Sequence, residues 1–95
     1  MATLHIEHPI TDYGTWKSAF DGFEEVRRQA GVTHQRVLRP TDDPAYIVVN
    51  LDFGTSEQAG AFLEFLRENI WSSPQSAPAL AGTPQTRILD LCDEQ

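Results

Sequence analysis

Apolar and polar positions alternate most clearly between Ala45 and Phe53, where the chain reads Ala-Tyr-Ile-Val-Val-Asn-Leu-Asp-Phe. β-Branched and aromatic residues dominate this stretch, which is typical of a strand. One row of its side chains is entirely apolar and consists of Ile47, Val49, Leu51 and Phe53. The other row is mixed and consists of Tyr46, Val48, Asn50 and Asp52. The pattern therefore predicts a strand whose dry face packs on helices and whose mixed face has another role.

Shorter alternating patterns predict three more strands. They run over Thr3–His8, Val32–Arg39 and Gln85–Cys92. In the last of them, Leu89 and Leu91 are expected to face the helices. Neither row of the second strand is clearly apolar, so its orientation stays open. The proline-bracketed segment Pro40–Pro44 predicts a turn that joins the second strand to the central one.

Two helices are predicted from apolar residues that recur every three or four positions. The first covers residues 12–30, and Gly31 is its expected end, because glycine readily adopts the conformation that stops a helix. Its charged residues fall mainly on the polar side and are Lys17, Asp21, Glu24, Arg27 and Arg28. The second helix covers residues 55–71, and Thr55 and Gln58 have the spacing of a capping box at its start.

The order of these elements is β-α-β-β-α-β, which predicts a ferredoxin-like α+β fold in one domain over residues 1–95. Right-handed crossovers place both helices on one face of a four-stranded antiparallel sheet. The opposite face, called the open face below, is expected to carry His5, Glu7, His34, Arg36, Tyr46, Val48, Asn50, Ile88 and Asp90. These residues are too apolar for a solvent face and too polar for a core, so a homodimer that encloses them is predicted.

The composition limits the partners and the compartment. The net charge of −7 over 95 residues disfavours nucleic acid and anionic membranes, because the mean field of the chain repels both. No apolar run reaches the roughly 18 residues needed to span a bilayer. The single cysteine, Cys92, excludes an internal disulfide framework. Because no signal peptide is recognisable, a cytoplasmic protein is the default expectation.

No metal and no cofactor are predicted. His5 and His8 are three positions apart on a strand, so they face opposite ways and cannot share a metal ion without a break in the strand. The chain also contains no Cys-x-x-Cys motif and no glycine-rich phosphate-binding motif.

Three segments carry a family resemblance that extends over nearly the whole chain. They read Asp12-Tyr13…Trp16-Lys17…Phe20, Gly31-Val32…Arg36-Val37-Leu38…Asp42-Asp43-Pro44 and Ala59…Phe62-Leu63…Leu66. In this pattern the chain resembles the dimeric α+β barrel proteins, and within them the small stand-alone antibiotic-biosynthesis-monooxygenase-like domains. The resemblance implies a homodimer with a pocket between each sheet and its helices or the partner. It implies no particular catalytic residue, because the branches of that superfamily use different ones.

Two residue pairs on the open face are candidates for chemistry. His5 and Glu7 share a face, and a histidine–carboxylate pair could tune a general base. The alternative is a hydrogen-bonded histidine inside a dimer. His34 and Arg36 could bind a phenolate or carboxylate, since arginine offers a planar fork of donors. The alternative for this pair is an ion pair or an exposed strand edge.

Three further residues are candidate substrate contacts. Tyr46 and Asn50 place neutral polar groups among apolar ones, which suits a binding pocket. They would equally suit pairing across a dimer interface. Trp71, at the end of the second helix, would form either a pocket lip or a packing anchor.

Two functional hypotheses from different classes follow. The first is an enzyme that acts without metal on an aromatic or polyketide-like molecule, with His5 as base and Arg36 as anion stabiliser. In this enzyme Asn50 or Tyr46 would orient the substrate. The second is a non-catalytic homodimer that binds a small ligand or scaffolds a pathway. Convergence of His5, His34 and Arg36 on one cavity would favour the enzyme, and scattered positions would favour the second hypothesis.

Overall fold

A computed structural model describes residues 1–93 and confirms the predicted ferredoxin-like α+β fold. Its strands are β1 (Ala2–Pro9), β2 (Val32–Leu38), β3 (Tyr46–Phe53) and β4 (Gln85–Asp90). They form one antiparallel sheet in the order β2-β3-β1-β4. The helices are α1 (Tyr13–Gly22), α2 (Glu24–Gln29) and α3 (Ser56–Phe65), and α3 continues as a π-helical turn over Leu66–Ile70.

The core lies between the sheet and the helices. Both central strands, β1 and β3, alternate between buried and half-buried positions along almost their whole length. The most deeply buried large side chains all come from these two strands and are Leu4, Ile47, Leu51 and Phe53. Phe62 of α3 packs on this core with its ring centre 5.9 Å from that of Phe53, and Trp16 of α1 packs on the same core. The helices therefore share one face of the sheet, as predicted.

Local signals define the helix ends. Asp12 caps α1, because its side chain accepts the backbone N–H of Thr15 at 2.8 Å. Thr55 and Gln58 form the predicted capping box at the start of α3. Gly31 has a φ of 104°, which confirms it as the left-handed residue after α2.

The first predicted helix is two helices rather than one. α1 ends at Gly22, and Phe23 leaves the helical region with φ −105° and ψ 17° before α2 begins. Glycine weakens a helix interior by about 1 kcal/mol relative to alanine, so a break costs least here. A Cβ placed on Gly22 would meet nothing within 4 Å, so close packing does not require the glycine.

Strand β2 contains a bulge that determines its orientation. The register shifts between Val32 and His34, so Val32 lies opposite Phe53 on the helix side and His34 lies opposite Asp52 on the open face. An extra residue at a bulge interrupts the alternation of a strand. His34 and Arg36 consequently lie on the open face, as expected, although strict alternation would have put Val32 there with them.

The last strand has the opposite orientation to the one predicted. Its register puts Leu89 on the open face and turns Ile88 and Asp90 toward the helix side, while Leu91 lies beyond the end of β4. Leu89 shares its row with Arg87, and turning that row inward would have carried a guanidinium toward the core at a large desolvation cost. The predictions that Leu89 faces the helices, and that Ile88 and Asp90 lie on the open face, are therefore wrong, and Leu91 is exposed outside the strand.

Candidate functional site

A hydrogen-bonded network occupies the centre of the open face. His5 Nε2 lies 2.8 Å from Glu7 Oε2, and His5 Nδ1 lies 2.7 Å from Asn50 Oδ1. The Tyr46 hydroxyl donates to Glu7 Oε1 at 2.7 Å. The hydrogen bonds from His5 and then Tyr46 lower the pKa of Glu7, and the bond to Glu7 raises the pKa of Tyr46. Glu7 is therefore an ionised acceptor, and both ring nitrogens of His5 already have partners within the chain.

The strand register aligns four polar residues of the open face in one row across the sheet. From edge to edge they are Arg36 of β2, Asn50 of β3, His5 of β1 and Arg87 of β4. β3 separates His5 from Arg36, so their strands lie two spacings, or about 9.6 Å, apart. His34 lies in the adjacent row. The candidates His5, His34 and Arg36 thus share a face, but none of them lines the cavity on the opposite face.

That cavity, called the helix-side cavity below, is partly enclosed and has a volume of about 90 Å³. Its floor is aliphatic and includes Ile6, Val49 and Leu51 of the sheet. Its walls are aromatic and include Trp16, Phe20, Phe23, Phe62, Phe65 and Trp71. Residues 76–80 of the connection to β4 cover one side. Ligand sites are typically concave and apolar with a few polar groups, so this cavity is the candidate binding site, and Trp71 belongs to it.

His8 brings an imidazole from β1 to the helix-side cavity. Its side chain is only 4% exposed, and Nδ1 lies 2.9 Å from the carbonyl oxygen of Pro9. A carbonyl oxygen only accepts, so Nδ1 carries the proton and Nε2 holds the lone pair. Burial lowers the pKa of His8, which keeps the ring neutral at pH 7. A neutral imidazole in an apolar lining can accept a proton from a bound molecule.

Arg27 of α2 contributes a guanidinium to the same cavity and is also only 4% exposed. Its Nε donates to Gln35 Oε1 at 2.9 Å, and its Nη1 donates to the carbonyl oxygen of Phe20. Both acceptors are neutral, and within residues 1–93 no carboxylate forms an ion pair with Arg27. Burial lowers its pKa, and the more distant carboxylates of Glu24 and Asp21 oppose that effect. The cavity wall therefore contains a cation without a direct counterion.

Both residues had a signal in the sequence. His8 shares its row of β1 with Leu4 and Ile6, and that apolar row is the buried one. Arg27 follows Phe20 by seven positions and Phe23 by four, which places it on the apolar stripe of the first helical segment. The prediction that Arg27 belongs to the polar side of that segment is wrong, because it is the buried residue of α2.

The described residues contain neither a metal-binding cluster nor a membrane-spanning helix. Over residues 1–93, no group of three or more His, Cys, Asp or Glu side chains is arranged to hold a metal ion. No helix in that range is both long enough and apolar enough to cross a membrane. His5 and His8 lie on opposite faces of β1, as the alternation predicts.

Comparison with known proteins finds likeness in structure rather than in sequence. No protein-family model matches the chain, and no characterised protein matches it at a significant level of sequence similarity. A putative antibiotic biosynthesis monooxygenase from Nitrosomonas europaea superposes with a TM-score of 0.69 at 20% identity, over 95% of this chain and 97% of its own. A protein of unknown function from the same organism superposes with a TM-score of 0.71 at 15% identity, over 99% and 91% of the two chains.

A third structure adds a described assembly. It is a dimeric ferredoxin-like protein from an uncultured marine organism, with a TM-score of 0.65 at 10% identity over 100% of this chain and 98% of its own. This chain therefore has the fold shared by antibiotic-biosynthesis-monooxygenase-like and dimeric ferredoxin-like proteins. At these identities the likeness establishes the fold and leaves the chemistry to the site.

Proposed function

We propose that this chain is a small-molecule enzyme whose substrate binds in the helix-side cavity and loses a proton to His8 Nε2. The observation that carries the proposal is a cavity with aromatic walls around a buried, neutral imidazole whose Nδ1 is occupied by a carbonyl. Aromatic walls favour an aromatic or polyketide-like substrate, because ring faces stack on one another and apolar area is removed from water.

The volume limits what the cavity holds without rearrangement. About 90 Å³ is smaller than the roughly 150 Å³ of an engineered protein cavity that takes up benzene. A substrate with one ring would therefore either extend through the open side of the cavity or displace part of its wall. Residues 76–80 border the cavity and are held to the rest of the chain by a bridge between Leu80 and Ile10 and by the hydrogen bond from Thr11 N–H to Ala79 O.

The proposed reaction is a metal-free monooxygenation of an activated methylene group. His8 Nε2 takes one proton, and the resulting carbanion gives an electron to dioxygen before the two combine to form the C–O bond of a hydroperoxide. The peroxide anion takes the first proton back from His8. Loss of the second C–H hydrogen then breaks the O–O bond and releases the distal oxygen as water, so the methylene and dioxygen become a carbonyl and water. The substrate supplies all four electrons, which requires that it form an electron-rich anion in a dry pocket.

The proposal includes a homodimer formed through the open faces of two chains. Leu38, Val48 and Leu89 supply apolar surface there, and Leu38 and Leu89 are 37% and 44% exposed in the single chain. Covering such surface favours association by roughly 25 cal/mol per Å² before the costs of binding. The dimeric state described for one ferredoxin-like neighbour supports a homodimer. Each helix-side cavity would then face away from the partner, and the His5 network would lie between the sheets.

Oxygen consumption tests the enzyme proposal. Wild-type protein, His8→Gln and His5→Gln are each mixed with a panel of polycyclic phenols and hydroxylated aromatic ketones while dissolved oxygen is followed. We expect wild type and His5→Gln to consume oxygen and form a carbonyl product, and His8→Gln to be slower by at least about 100-fold, as befits loss of a general base. Activity lost in His5→Gln and kept in His8→Gln would instead support the sequence-based hypothesis of His5 as base with Arg36. No uptake by wild type with any compound would overturn the enzyme proposal.

A non-catalytic, ligand-binding homodimer is the second candidate function. The observation that favours it is that His5, His34 and Arg36 are spread along the open face, where an interface would use them. In that case ligands would change the fluorescence of Trp16 and Trp71 and raise the melting temperature, because binding stabilises the native state. Binding of this kind without any oxygen uptake would decide in its favour.

A further inference from the structure

We propose that the helix-side cavity selects ligands with one anionic oxygen, a carboxylate or phenolate, which pairs with Arg27. The inference rests on the proposed function, because it assigns a ligand class to the same cavity. It is carried by a guanidinium that lines an apolar cavity, is almost fully buried and, among the described residues, has neutral hydrogen-bond partners.

Arg27 has hydrogen-bond donors to spare. A guanidinium carries five N–H groups in a planar fork. Two of them are used, by the side-chain oxygen of Gln35 and by the carbonyl oxygen of Phe20. Within residues 1–93 no fully buried side-chain nitrogen lacks a partner, so Nη2 keeps accessible surface, and the helix-side cavity is the space that Arg27 lines.

The charge of Arg27 is unbalanced at short range. The Phe20 ring, 3.6 Å from the guanidinium carbon, attracts a cation without neutralising it. Asp21 and Glu24 act only at longer range and are exposed to solvent. A buried charge without a counterion is unfavourable, so the binding of an anion next to Arg27 would lower the free energy of the site. The anionic oxygen of a ligand would supply the missing partner by accepting a charge-assisted hydrogen bond from Nη2.

His8 and Arg27 would have complementary tasks in the cavity. His8 Nε2 removes a proton, and Arg27 stabilises the negative charge that remains on the oxygen of the ligand. Fixed donors aimed at a developing oxyanion are most effective in an apolar surrounding, and the lining of this cavity is mainly apolar. Arg27 would thus determine which substrates bind and also favour their anionic form.

The alternative to anion binding is that Arg27 has a purely structural role. Through Phe20 and Gln35, Arg27 ties α1 and β2 to α2, so its removal would also lower stability. A structural loss would weaken charged and neutral ligands alike, whereas loss of an anion partner would weaken only charged ones. Arg27→Met removes charge and fork, and Arg27→Lys keeps the charge. Arg28, which is exposed and paired with Glu25, provides the matched control Arg28→Met.

Benzoate and benzamide are suitable probes because they share a ring and nearly a shape but differ in charge. Dissociation constants are measured at pH 7 from the tryptophan fluorescence of the full chain. We expect wild type and Arg28→Met to bind benzoate at least about tenfold more tightly than benzamide. The ratio should shrink in Arg27→Lys and approach one in Arg27→Met. In a ¹H–¹⁵N spectrum of the wild type, the Arg27 Nε–H signal should shift with benzoate and stay in place with benzamide.

The other possible outcomes refute either the anion selectivity alone or the proposed function as well. Equal affinity of wild type for the two probes, a preference that survives in Arg27→Met, or an Arg27 signal that ignores benzoate overturns the anion selectivity. Those results leave the proposed function standing, since a neutral substrate would still meet His8. Failure of both probes to bind up to their solubility limits shows that the cavity admits no ring, and then the proposed function and this inference fail together.

Discussion

Val48→Glu should separate the two chains of the proposed homodimer. Val48 lies on the open face directly opposite Glu7 of the neighbouring strand. Glu7 is ionised, because hydrogen bonds from His5 and Tyr46 lower its pKa. A glutamate at position 48 would therefore place two like charges side by side in the space between the two sheets, where water is largely displaced.

The size of the effect follows from the sheet geometry. Directly opposite residues of an antiparallel pair have Cβ atoms about 5 Å apart. At that distance two unit charges repel by about 3.3 kcal/mol at an effective dielectric constant of about 20, and by about 0.8 kcal/mol in water. Assembly would then be less favourable by about 2.5 kcal/mol per chain, or about 5 kcal/mol per dimer. Since each 1.4 kcal/mol is tenfold in affinity, the dissociation constant should rise by more than about a thousandfold.

Light scattering at micromolar concentration measures the outcome. The wild type should have twice the 10.6 kDa of one chain, and Val48→Glu should approach 10.6 kDa while keeping its far-ultraviolet circular dichroism. Ala61→Glu is the matched control, because it adds the same charge at an exposed position on α3 and should stay dimeric. A wild type of 10.6 kDa would remove the dimer, and a variant as dimeric as the wild type would show that Val48 lies outside the interface.

Urea unfolding tests two further features of the fold. Gly31→Ala should lose about 1–2 kcal/mol, because φ is 104° and the new Cβ would lie 2.9 Å from Gln58 Nε2, whereas Gly22→Ala, with nothing within 4 Å, should gain up to about 1 kcal/mol. Equal effects would contradict the left-handed turn. Burial holds the pKa of His8 below 6.5 in the folded chain, so the unfolded chain binds the proton first and stability should fall as pH decreases from 6.5. That fall should shrink in His8→Gln and persist in His34→Gln; identical slopes would contradict the burial of His8.

The elements that the sequence predicts well are those specified by near neighbours along the chain. The alternation of residues 45–53 predicts β3, which the structure confirms as Tyr46–Phe53. The capping box of Thr55 and Gln58 and the left-handed Gly31 likewise depend on a few adjacent positions. Element order then restricts the topology, because right-handed crossovers leave few arrangements of one antiparallel sheet.

The sequence specifies the faces of the edge strands less clearly, because neither strand has an entirely apolar row of side chains. In β4 the adjacent residues Ile88 and Leu89 are both apolar, and they are 40% and 44% exposed. Hydrophobicity alone therefore does not indicate which of the two faces the helices. Arg87 favours the observed orientation, because it shares a row with Leu89 and its charge disfavours placing that row against the core. In β2 the bulge after Val32 shifts the faces by one residue, and a bulge depends on pairing with β3 rather than on local composition.

Buried polar groups point to the candidate site more strongly than the polar residues of the mixed face. On the open face the side chains of Glu7 and Asn50 satisfy both ring nitrogens of His5, so that network is complete within one chain. On the helix side, His8 and Arg27 interrupt rows that are otherwise apolar. A buried polar group is unfavourable there unless it is hydrogen-bonded or paired with an opposite charge. Their neutral partners satisfy only part of their hydrogen-bonding capacity. A ligand that both accepts from Arg27 and donates to His8 would complete this set, which is why the helix-side cavity, rather than the open face, is where chemistry is expected.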